Sequence, residues 1–172
     1  MQWANTLFAR MAAAMMLSAV SCTALGGDIA NLSASHVTMT CRPLNFLLKY
    51  AALRHCGVIV WHWSENCVPV IDAQFSTPGW STRPTRKVSG PTYAQDRAAF
   101  TNPGRRKENY DIAVPSGMTA EQFSAAIIKS GNSIAFHYYS PIGPNSNTVA
   151  TSIISNAGGT PPRVPYALGA GR

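Results

Sequence analysis

The sequence predicts an α+β fold, a small antiparallel sheet of four or five strands packed with two or three helices. Three observations predict it. Short runs of β-branched and aromatic residues are separated by turn residues, the pattern of strands joined by hairpins. At least one segment carries a helix-start signature followed by helical apolar spacing. The chain has 172 residues, and about 148 remain once the N-terminal segment is set aside, a length that suits one core.

Residues 1–24 read as an export signal. Met1 to Arg10 carries one positive charge, and Met11 to Val20 is an apolar run. That run is shorter than the ~20 residues a spanning helix needs and fits a signal h-region. Two processing sites compete. Ala19-Val20-Ser21-Cys22 resembles a bacterial lipobox, with Ala where Leu would fit better at its first position, and would make Cys22 a lipid anchor. The small residues around Ala19–Ala24 also suit ordinary signal peptidase. The expected location is the periplasm or a membrane-anchored lipoprotein.

Residues 28–159 are expected to form the domain. Asp28 to Thr40 is polar and reads as a lead-in. Arg42 to Leu53 has Leu44, Leu47, Leu48 and Ala51 at helical spacing. His55 to Trp63 reads as a buried strand, and Val68 to Phe75, with Pro69 inside it, as an edge or bulged strand. Residues 76–108, rich in proline and glycine and including Gly79 and Gly104, read as a long loop. Asn109 to Val114 is a third strand. Thr119 with Gln122 forms a capping box, Phe123, Ala126 and Ile127 share a helical face, and Gly131 is the expected stop. Ser133 to Tyr139 reads as a strand. A second amphipathic helix then runs to Asn156, with Val149, Ile153 and Ile154 on one side. Residues 160–172 form an extended, proline-containing tail.

Charge narrows the partners. Lys and Arg number 14 against 7 Asp and Glu, a net +7. The basic residues are dispersed and do not alternate with aromatics, so nucleic acid is not the expected partner. An anionic envelope suits such a surface better. The cysteines Cys41, Cys56 and Cys67 permit one disulfide in an oxidising compartment, and spacing leaves the pairing open. No zinc-finger spacing is present, and no metal or cofactor is expected.

The chemistry is concentrated at Gly143-Pro144-Asn145-Ser146-Asn147-Thr148. A hydroxyl at a helix start lies near outward-pointing N–H groups, where negative charge is favoured. Ser146 is the candidate nucleophile and His55 the candidate base. Glu65 is the candidate orienting group, with Asn66, His62 and Asp72 as neighbours. Against this stand simpler roles: Ser146 or Asn145 as a helix cap, and His55 as a histidine satisfied by backbone. Cys56 is a rival nucleophile, but strand neighbours point to opposite faces, so only one of His55 and Cys56 can enter a common site.

The order of these parts resembles the circularly permuted papain-like hydrolases and acyltransferases, the lecithin retinol acyltransferase-like group and its bacterial relatives. Arg54-His55-Cys56-Gly57-Val58-Ile59-Val60 is similar to that group's H-x-G-I-x-V strand, and Asn145-Ser146-Asn147-Thr148-Val149 to its later N-C-x-x-F-V segment. The group normally has Cys where this chain has Ser146, and Gly-Pro-Asn-Ser-Asn-Thr resembles a bacterial subset with Ser there. The resemblance implies a permuted papain-like fold, with His55 as base and Ser146 as nucleophile. The implied activity is hydrolysis or transfer of an acyl or amide group, with a peptidoglycan peptide, lipid ester or protein amide as substrate. The alternatives are a catalytically inactive envelope binding lipoprotein of the same fold, or a secreted effector domain.

Overall fold

The computed structural model describes residues 34–43, 54–64, 66, 68–77, 81–86, 91–101, 108–140, 143–165 and 167. The signal segment with Cys22, the 44–53 run, Glu65 and Cys67 lie outside the described residues. Five strands form one antiparallel sheet: β1 His36–Pro43, β2 Arg54–Trp63, β3 Pro69–Ser76, β4 Thr85–Arg86 and β5 Glu108–Asp111. Their order is β4-β3-β2-β1-β5. Among the described residues three helices accompany them: α1 Pro91–Thr101, α2 Ala120–Ser133 and α3 Ser146–Asn156. The α+β expectation therefore holds at the level of sheet and helices. None of the described helices is long and apolar enough to cross a membrane.

Side-chain alternation divides the sheet into two covered faces. Met39 and Cys41 of β1, with Cys56, Val58 and Val60 of β2 and Phe75 of β3, join the core made by Phe123 and Ile127 of α2 and Ile153 and Ile154 of α3. The alternate residues face α1. Trp61 packs edge-on against Phe100 at 5.2 Å and donates its indole N–H to Thr38. Arg42 and Gln74 on that face bond Asp96 of α1. Both faces of β2 are thus buried, which explains its near-continuous apolar run.

Four expectations need correction. His36 to Pro43 is a central strand, not the end of a polar lead-in; Val37, Met39 and Cys41 alternate inward between Thr38 and Thr40. Residues 76–108 are not only loop, because they contain β4 and α1. Gly131 does not stop α2, which continues to Ser133. A Cβ on Gly131 would lie 2.6 Å from the Phe75 ring, so this glycine is a packing position. Ser133 to Tyr139 is not a strand. Ser133 is still helical, the Ile134 amide caps α2 by donating to Ser130 O, the Phe136 amide donates to Thr82 O in a single bond without a ladder, and Tyr138 is exposed. Strand propensity needs a pleated, half-buried partner, and this segment has none.

Candidate functional site at the joint of β2 and α3

Helix α3 begins on a capping box. Asn145 accepts from the amides of Asn147 at 2.9 Å and Thr148 at 3.3 Å, while Thr148 Oγ1 accepts from the Asn145 amide. Two first-turn donors are therefore consumed by the cap. The Ser146 amide instead points at the Tyr139 hydroxyl, 3.4 Å away. The start of α3 thus leaves one amide outside its own cap, and that amide belongs to Ser146.

Asn147 fastens this helix start to β2. Its Oδ1 accepts from the Cys56 amide at 3.0 Å, and its Nδ2 donates to Arg54 O at 3.0 Å. The reason is geometric. Cys41 and Cys56 face each other with Cα atoms 4.1 Å apart and form a disulfide. So close a pair is of the non-hydrogen-bonded kind, so the Cys56 amide turns away from β1. On that side β3 has ended, since its pairing with β2 begins at Val58 opposite Phe75. The Asn147 side chain takes the place of the missing strand.

His55 lies between the two residues that Asn147 holds. Its side chain turns to the α1 face, where Nε2 stands 2.9 Å from Ser76 Oγ and 3.9 Å from Asp96 Oδ2. Asp96 is itself fixed: Arg42 Nε donates to Oδ1 at 2.8 Å and Gln74 Nε2 to Oδ2 at 3.2 Å. The group is closed from solvent, with His55 7%, Asp96 4% and Ser76 2% exposed. Among the described residues, Gln74 Oε1 and Thr40 Oγ1 on this face find no hydrogen-bond partner.

The structure fastens the α3 start to the strand of His55, while the His55 ring turns to the α1 face with Nε2 against Ser76. Ser146 is 5% exposed at the first turn of α3. Glu65, the expected orienting group, is outside the described residues. His62 and Asp72 bond each other at 2.9 Å in an exposed pair. His62 lies seven residues along β2 from His55, about 23 Å at strand rise, and Asp72 is held beside it from β3, so neither orients the His55 ring. Cys56 is no rival nucleophile, being half of the disulfide. Sequence reasoning missed Ser76 and Asp96. The only signal for Ser76 was its place at the end of the strand neighbouring His55. Asp96 sat in a segment read as loop. Among the described residues, no three His, Cys, Asp or Glu side chains could hold a metal ion.

Comparison with family models, with characterised proteins and with solved structures returns no match.

Proposed function

We propose that the protein is an envelope-located hydrolase or acyl/amide transferase using a Ser146–His55 pair. The observation that carries this reading is the Asn147 bridge, which anchors the start of α3 to the backbone on both sides of His55. That bridge supports the reading by fixing the first turn of α3 against β2 at His55, although the His55 ring itself turns to the α1 face. In this reading Ser146 Oγ bonds to a carbonyl carbon and His55 Nδ1 takes its proton. The proton then passes to the leaving amine or alcohol as its bond to the carbonyl carbon breaks, and water or an acceptor amine or alcohol then takes the acyl group from Ser146. The cap holds the amides of Asn147 and Thr148, so in this reading the oxyanion takes the Ser146 amide in place of the Tyr139 hydroxyl that it meets at 3.4 Å. The same reading takes the fold as circularly permuted papain-like, with the His strand ahead of the nucleophile helix. Export to an oxidising compartment is supported by the disulfide within the core. Peptidoglycan peptides, lipid esters and protein amides are the substrate classes.

A second reading, a catalytically inactive envelope binding domain, is favoured by the burial of both groups and by the Tyr139 hydroxyl at the Ser146 amide. Fluorophosphonate labelling separates the two. Labelling of the folded protein that disappears in Ser146→Ala supports the hydrolase, and no labelling of folded protein supports the binding domain.

A further inference from the structure

With Nε2 engaged by Ser76, the imidazole of His55 serves Ser146 in the proposed reading through Nδ1, which must then carry the lone pair. The other nitrogen must then carry the proton. The surroundings of Nε2 bear on that choice. Ser76 Oγ lies 2.9 Å away and can accept from Nε2–H or donate to a bare Nε2. The Asp96 carboxylate lies 3.9 Å from the same nitrogen. A negative charge there favours a proton on Nε2 over a lone pair.

The other charged groups around the ring come from several elements. Arg42 of β1 is His55's register partner, and its guanidinium is committed to Asp96 at 2.8 Å. Arg54 of β2 points to the opposite face and is committed to Glu108 of β5 at 2.8 Å. Gln74 of β3 holds the oxygen of Asp96 that is nearer the ring. The Asp96 side chain is thus fixed in place by two donors.

From this arrangement we infer that Ser76 and Asp96 are positioning residues that hold His55 as its Nε2–H tautomer and leave Nδ1 as the basic nitrogen. The inference rests on the reading of His55 as the base for Ser146. Ser76 accepts the Nε2 proton, and Asp96 supplies the charge that keeps it there and stabilises the imidazolium once Nδ1 has taken the serine proton. Neither touches substrate. The role expected of Glu65 is filled from β3 and α1.

The test is ¹⁵N NMR of the histidine side chains in the full chain, with fluorophosphonate labelling rates measured in parallel. The wild type should show His55 protonated on Nε2. Asp96→Asn should give a mixture of tautomers and slow labelling about tenfold or more, and Asp96→Glu should restore part of both. If Asp96→Asn does not fold, Ser76→Ala should give the same mixing. An Nδ1–H tautomer in the wild type, or a tautomer and labelling rate unmoved by either folded variant, overturns the inference while labelling at Ser146 stands. A tautomer that responds to Asp96 in a protein that is never labelled keeps the hold on the ring and removes the hydrolase reading.

Discussion

Asn147 joins two elements with one side chain, and its replacement is correspondingly costly. Asn147→Ala removes both bonds to β2 and leaves the Cys56 amide buried without an acceptor. The expected loss is about 1–3 kcal/mol. Asn147→Asp retains an acceptor for Cys56 but sets a carboxylate oxygen against Arg54 O, so it should also be less stable than the wild type. Urea denaturation of both variants measures this. Gly131 is a second position where one atom decides. In Gly131→Ala the new Cβ would lie 2.6 Å from the ring of Phe75, which is 1% exposed and cannot swing away. Overpacking of this kind costs about 1–3 kcal/mol, although alanine is the better helix former. A stabilised Gly131→Ala protein would contradict the packing described.

At the scale of elements, β5 is held to the sheet by a short polar chain. Arg54 donates to one oxygen of Glu108, and the Tyr110 hydroxyl donates to the other at 2.6 Å. Burial pushes the Tyr110 phenol up from 10.0 to about 12, helped by the hydrogen bond to Glu108 and its negative charge. The sign follows directly. The folded state holds this proton more tightly than the unfolded state. The resulting stability is complete below pH 10 and fades as pH rises toward about 12. Spectrophotometric titration should find one tyrosine ionising late, and Glu108→Gln should bring it down. A Tyr110 that ionises with the other tyrosines would contradict the clamp.

Elements differed in how legible they were, for physical reasons. The α2 start was readable because Thr119 and Gln122 satisfy each other's backbone locally, and both bonds are present. The α3 start was readable for the same reason. Strand β2 announced itself because both of its faces are buried. Strand β1 did not, since the threonines between its apolar residues resemble a polar loop, and only α1 above them makes that face interior. Asp96 was out of reach for a related reason. Its partners Arg42 and Gln74 stand 54 and 22 residues away, and nothing local marks the pairing.

The molecule as a whole is organised around the central pair β1 and β2, which a disulfide crosslinks at Cys41 and Cys56. The bridge closes a short loop, with a sequence separation of 15, and in the chain-entropy picture such a loop is worth about 3 kcal/mol. The Cys41→Ser/Cys56→Ser protein should lose stability of that order in urea denaturation. It should also hold His55 less firmly, because the Cys56 amide is the one Asn147 binds. Loss of stability without any change at His55 would separate the disulfide from the site.

The central claim is that the start of α3 and the His55 strand form one reactive joint, and the position of a covalent adduct tests it most directly. After reaction with a fluorophosphonate, peptide mapping by mass spectrometry should place the phosphonyl group on Ser146, and His55→Ala should abolish it. An adduct on another serine, labelling that persists without His55, or no adduct on the folded protein would contradict the account.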